Sequence, residues 1–63
     1  MKPDVTILTK DSITVGNVVY ELKEIYVLSD DQIPEPEENW LNGSSCVVMS
    51  TQDVKFLHEG VWV

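Results

Sequence analysis

β-Branched residues dominate both ends of this chain, and part of the first end alternates polar with apolar at the period of a half-buried β-strand. Val5-Thr6-Ile7-Leu8-Thr9 is dominated by β-branched residues, and Ser12-Ile13-Thr14-Val15 alternates polar with apolar. Lys10-Asp11 separates the two as a short polar break. Gly16-Asn17 then divides Val15 from Val18-Val19-Tyr20-Glu21-Leu22. A two-residue Gly-Asn loop supplies the positive φ of a primed turn, which predicts a hairpin here. The strand after it runs on to Leu28 with a slip of phase. Val18, Tyr20 and Leu22 share one face, while Ile25 and Val27 fall on the other. That slip predicts a β-bulge at Lys23-Glu24, which bends the strand and helps a small sheet curl.

The pattern breaks between Ser29 and Glu38, where acids and two prolines replace the alternation. Pro34 and Pro36 withhold ladder hydrogen bonds and favour extended, polyproline-like backbone. Pro36 also suits the first position of a short helix over residues 36–41, stopped at Asn42-Gly43. Glu37 and Glu38 would sit in its first turn, where the helix dipole favours acids. Strand composition returns at Cys46 to Ser50, followed by a Thr51-Gln52-Asp53 turn and a return strand from Val54 to His58. Glu59-Gly60 then turns the chain into Val61-Trp62-Val63. A three-residue loop at 51–53 would pair Ser50 with Val54, Val48 with Phe56 and Cys46 with His58. Val48, Val54 and Phe56 would share one face, and Val47, Met49 and Leu57 the other.

The expected fold is mainly β: a small, strongly curved antiparallel sheet or an SH3-like partial barrel. It would hold five or six short strands and one short helical turn, in a single domain over residues 1–63.

Size adds a constraint. A chain of 63 residues hides only about 60% of the surface its unfolded form exposes, so its core is marginal. Domains this small usually need a disulfide, a metal or a partner subunit. Cys46 is the sole cysteine, which forbids an internal disulfide. Apolar residues on both faces of the last hairpin then point to a homodimer, with Val47, Met49 and Leu57 at its interface. Met1-Lys2-Pro3-Asp4 lacks the apolar region of a secretory signal. No apolar run approaches the roughly 20 residues that span a bilayer. A lone thiol fits a reducing compartment, so a cytoplasmic protein is expected.

Charge changes the picture more than size does. The net charge is -7, and no Lys or Arg occurs between Lys23 and Lys55. That interval holds seven acids: Glu24, Asp30, Asp31, Glu35, Glu37, Glu38 and Asp53. The remaining acids are balanced by Lys2, Lys10, Lys23 and Lys55. A patch of one sign attracts cationic surfaces and repels nucleic acid and anionic lipid. With no basic patch and no nucleic-acid-binding motif, direct nucleic-acid binding is not expected.

The candidate chemistry is sparse. Cys46 and His58 face each other in the expected register, but a nucleophilic cysteine needs a base and then a group that orients the base. No third residue supplies the latter, so Cys46 reads as structural, no residue is assigned as catalytic, and no enzyme is expected. The acidic segment has oxygens but neither the spacing nor the glycine of a calcium loop, so no metal and no cofactor are expected. Either the segment is simply a solvated loop, or its carboxylates form a recognition surface. In polyproline geometry Glu35 and Glu37 lie roughly 6 Å apart on a stiff strut. Carboxylates so placed offer a protein the charge and acceptors it expects from a nucleic-acid backbone. Both Trp40 and Trp62 suit a core, but Trp40 follows Glu37-Glu38-Asn39 and equally has the setting of an interface hot spot.

As a class, the chain resembles the small acidic proteins that bacteriophages and other mobile elements use to block host enzymes, DNA mimics and anti-defence proteins among them. What it shares with them is short length, strong acidity, few cysteines and a β-rich pattern. The resemblance implies a non-enzymatic inhibitor in the host cytoplasm that binds the basic surface of a nucleic-acid-handling protein. Asp30, Asp31, Glu35, Glu37, Glu38 and Trp40 would be its contact residues. Two other readings are a small oligomer that sequesters a ligand between subunits, as anti-defence sponge proteins do, and a structural or assembly module.

Overall fold

The computed structural model describes residues 5–63; Met1 to Asp4, read above as lacking a signal region, lie outside the described residues. The chain is mainly β. It forms one open five-stranded sheet in the order β1-β2-β3-β4-β5. The strands are β1 (Val5–Val15), β2 (Val18–Val27), β3 (Ser45–Val48), β4 (Asp53–His58) and β5 (Val61–Trp62). Among the described residues no helix is long and apolar enough to cross a membrane.

The first hairpin closes at Val15↔Val18, as the Gly16-Asn17 signal predicts. Gly16 takes a φ of 62° and Asn17 has no positive φ, the placement a type II′ turn requires. The phase slip in β2 is real, but the bulge that accommodates it lies across the ladder. Thr9 pairs with Lys23 and Asp11 with Leu22, which leaves Lys10 as the extra residue. Lys10-Asp11 is therefore a bulge inside one long strand, and not a break between two. The edge strand takes it because β2 must keep register with neighbours on both sides, and bulges favour sheet edges.

The bulge has a consequence for the two faces of the sheet. Below it, Val5 and Ile7 pair with Val27 and Ile25. Above it, Ile13 and Val15 pair with Tyr20 and Val18 on the opposite face. The apolar side of the hairpin thus changes face halfway along its length.

β2 and β3 run parallel, with Ile25 beside Cys46 and Val27 beside Val48; the expected sheet was antiparallel throughout. Parallel neighbours need a crossover of a dozen or more residues, and residues 28–44 provide it. This strap contains the one helical turn among the described residues, a 3-10 turn at Asp30–Gln32. The short helix expected over 36–41 is reduced to a single hydrogen-bonded turn, in which Trp40 N–H donates to Glu37 O at 3.1 Å. Residues 39–41 instead lie along β2 as a strand-like edge: Glu21 N–H donates to Asn39 O and Leu41 N–H to Glu21 O, both at 2.8 Å. Ordered pairing with β2 satisfies more backbone groups than one isolated turn of helix would.

The core lies between the strap and one sheet face. Ile25, Val27, Trp40, Cys46, Val48 and Leu57 are buried there, with Ile33 and Trp62 packed against them. Ser44 is also buried. Its hydroxyl accepts from Lys23 N–H at 2.9 Å and donates to Leu41 O at 2.8 Å, tying the end of the strap to β2.

The last hairpins differ in register from the expectation. β3 pairs with β4 through Cys46↔Lys55, Val47↔Val54 and Val48↔Asp53, which leaves a four-residue loop. Met49 and Ser50 do not extend that ladder, because their amides donate to Val27 and Leu28 carbonyls at 2.9 and 3.0 Å. The end of β2 thus claims the two residues expected to prolong β3. At the next turn Glu59 and Gly60 both take positive φ, 48° and 81°. The amide of Glu59 donates to the Asn42 side chain at 2.8 Å.

Candidate functional site

Since the strap both covers the core and carries five of the eleven acids, it is the candidate site. It begins at Ser29, whose amide, like that of Leu28, donates to the Gln32 side-chain oxygen. The Ser29 hydroxyl donates to Asp31. These local bonds hold the 3-10 turn that presents Asp30 and Asp31 to solvent. Beyond it, Ile33 is extended, with φ -63° and ψ 121°, close to polyproline values. Ile33, Pro34 and Pro36 are half-buried against the sheet side, while Glu35, Glu37 and Glu38 are exposed. The indole N–H of Trp62 donates to Pro34 O at 2.9 Å. Trp62 also meets Trp40 edge to face, with ring centroids 6.4 Å apart.

The result is a rib of carboxylates on a pinned backbone. Among the described residues the one ion pair is Lys23–Glu21 at 3.2 Å, so none of the five strap acids is held in a salt bridge there. All five expected carboxylates, Asp30, Asp31, Glu35, Glu37 and Glu38, lie on the strap and are exposed.

Trp40 is different. It is 8% exposed and belongs to the core, so its ring is not offered to a partner. Its bridge to Glu21 turns it toward the covered face. What anchors the strap is instead the Ile33, Pro34 and Trp62 set. A proline carbonyl carries no signal in a sequence, although the presence of Trp62 near the chain end is a weak one.

The expected dimer residues do not share a face. Leu57 is 2% exposed in the core, whereas Val47 is half-buried on the opposite face and Met49 is exposed in the loop. The β3–β4 register is the cause, since Val47 opposes Val54 and Leu57 stands with Cys46 and Lys55.

The same register separates Cys46 from His58. Cys46 is fully buried opposite Lys55, and His58 stands exposed on the other face. Burial pushes the Cys46 thiol up from its usual value, outweighing the opposing effect of the Lys55 charge. A thiol so placed is not a thiolate nucleophile. Among the described residues no three His, Cys, Asp or Glu side chains gather as metal ligands.

At the far end of the strap, Asn39 donates to Val19 O and to Glu21. Lys23 and Thr9 complete this polar cluster on Glu21. The hydrogen bond from Lys23 is the main reason the Glu21 carboxyl titrates below its ordinary value. On the opposite face the Tyr26 hydroxyl donates to Glu24, which raises the tyrosine pKa.

No family model, curated protein or solved structure matches the chain.

Proposed function

We propose that this chain is a non-enzymatic binding module whose acidic strap docks on a basic protein surface, that of a nucleic-acid-handling protein. The observation that carries this reading is the strap itself. Five exposed carboxylates stand without ion-pair partners among the described residues, on a backbone pinned by Ile33, Pro34 and Trp62. A solvated loop needs no such anchoring. Pinning lowers the ordering cost of binding, because the carboxylates are already positioned. In extended, polyproline-like geometry Glu35 and Glu37 lie roughly 6 Å apart on a stiff strut. Arginines that grip phosphate can take such carboxylates bidentately.

The experiment is a pull-down from a cell lysate at low and high salt, followed by binding kinetics on the captured protein. Replacing Glu35, Glu37 and Glu38 together with Lys should abolish binding and leave the thermal melt nearly unchanged. Binding of the parent chain should weaken with salt as screening grows. Retained affinity in the triple variant would reduce the strap acids to a solubility device and end the proposal.

A further inference from the structure

The sheet has a second face, and none of the described residues covers it. Below the bulge the register places Leu8 on this face, and above it Ile13, Val15, Val18 and Tyr20. Val54 and Phe56 stand on it from β4, and Val61 from β5. The hairpin tip makes the orientation explicit. Its polar residues Ser12 and Thr14 face the strap side together with Val19, while Ile13, Val15, Val18 and Tyr20 face away. An antiparallel pair with this alternation normally packs its apolar side against something.

We propose that this open face is the interface of a homodimer, in which a second copy packs its own open face against it about a two-fold axis. This inference rests on the fold and does not depend on the reading of the strap. Three observations select a second copy as the occupant.

The first is area. Ile13, Val15, Val18, Val54, Phe56 and Val61 are each about half exposed. With Leu8 and Val63 they offer on the order of 700 Å², near the ~800 Å² per partner of a standard interface. The second is charge. The paired strands place Asp11, Glu24 and His58 on this face as charged or titratable groups other than tyrosine, with Lys10 at the bulge beside Asp11. Asp11 accepts the Ser12 amide and Glu24 accepts the Tyr26 hydroxyl. Open-face stacking leaves the two acidic straps on opposite outer surfaces. The molecule is 15 Å thick, so the straps lie farther apart than the ~8 Å Debye length of physiological salt. A nearly uncharged face on a chain of charge -7 is one that two identical copies can share. The third is shape. The radius of gyration is 12.1 Å, where a compact chain of this length has about 10.6 Å. Stacking a second sheet roughly 10 Å away turns a thin slab into a two-layer sandwich.

Neighbouring residues of β2 provide the test. Val18 and Val19 are 46% and 49% exposed, but Val18 stands on the open face and Val19 on the strap side. Sedimentation equilibrium at micromolar concentration should give the parent chain roughly twice its 7.1 kDa mass. Val18→Lys and Phe56→Lys should each return the mass to one chain, while Val19→Lys stays dimeric. A Val18→Lys chain that is unfolded beside a folded, dimeric Val19→Lys also supports the interface, because an exposed side chain can matter that much only through the second copy. A parent monomer overturns the proposal, as does a dimer lost equally in Val18→Lys and Val19→Lys. A dimer that survives Phe56→Lys overturns it too, since that dimer would be joined elsewhere, such as the β1 edge. The strap triple variant should remain dimeric, so loss of partner binding and loss of the dimer are separate outcomes.

Discussion

The two faces of this sheet are built from the same strands and have opposite characters. One face holds Ile25, Val27, Cys46, Val48 and Leu57 beneath a strap that brings Trp40 and Ile33 into the core. The other carries a comparable set of apolar side chains, yet Val54, Phe56 and Val61 remain more than half exposed. Composition therefore does not explain why one is a core and the other a surface. The difference is the parallel step from β2 to β3. It obliges the chain to spend residues 28–44 crossing over one face, and no other described segment crosses the second. The strap also sorts charge, since its acids end on the outside of the covered face and the open face stays nearly neutral. A small chain can thus acquire one surface suited to cations and another suited to its own kind.

The largest effect that would break this contrast lies in the core. Ile25 is fully buried, and Ile25→Ala should cost about 2–5 kcal/mol. A domain of 63 residues has roughly 3–9 kcal/mol in all, so the variant should be largely unfolded in a thermal or urea melt. If Ile25→Ala melts like the parent chain, the covered face is not the core.

A smaller effect tests how the strap is fastened. Ser44→Ala removes both the acceptor for Lys23 N–H and the donor to Leu41 O. With those groups stranded in a buried site the loss should be about 1–3 kcal/mol. Urea midpoints measure it, and a change inside experimental scatter would mean that the strap end is not fixed through this hydroxyl.

The smallest effect concerns the polar cluster on the strap side of the hairpin. Its Glu21 carboxyl, hydrogen-bonded by Lys23, titrates below its ordinary value of 4.5. A carboxyl whose pKa is lowered by folding adds stability above its unfolded pKa and loses it as pH falls through the folded one. The melting temperature should therefore drop less on acidification in Glu21→Gln than in the parent chain. Parallel pH profiles for the two would show that the Lys23 contact adds nothing to folding.

Much of the local structure was legible in advance. The hairpin at Gly16-Asn17 follows from turn chemistry, and the phase slip in β2 was visible in its apolar positions. Which strand would take the bulge was not, because either strand can absorb the extra residue and only the two-sided pairing of β2 decides. The acidic rib was equally plain in the sequence. Its anchor was hidden, since Trp62 reaches Pro34 O across 28 positions of chain. Trp40 looked like a contact residue because of its acidic neighbours in sequence, but in space its neighbour is Trp62.

By itself the sequence determined three things: a β chain, the sites of its tight turns, and a negative segment between Asp30 and Glu38. Each is a local property, set by alternation, by glycine's access to positive φ, or by charge counted along the chain. The parallel pairing of β2 with β3, the register of β3 on β4, and the separation of Cys46 from His58 were decided only by the tertiary structure. A strand's alternation says which residues share a face, but the partner strand sets which face is buried, and a one-residue change of register reverses it. Here β2 placed Cys46 beside Ile25, its end and the following residue took the amides of Met49 and Ser50, and the β3–β4 register beyond that loop put Leu57 on the same covered face.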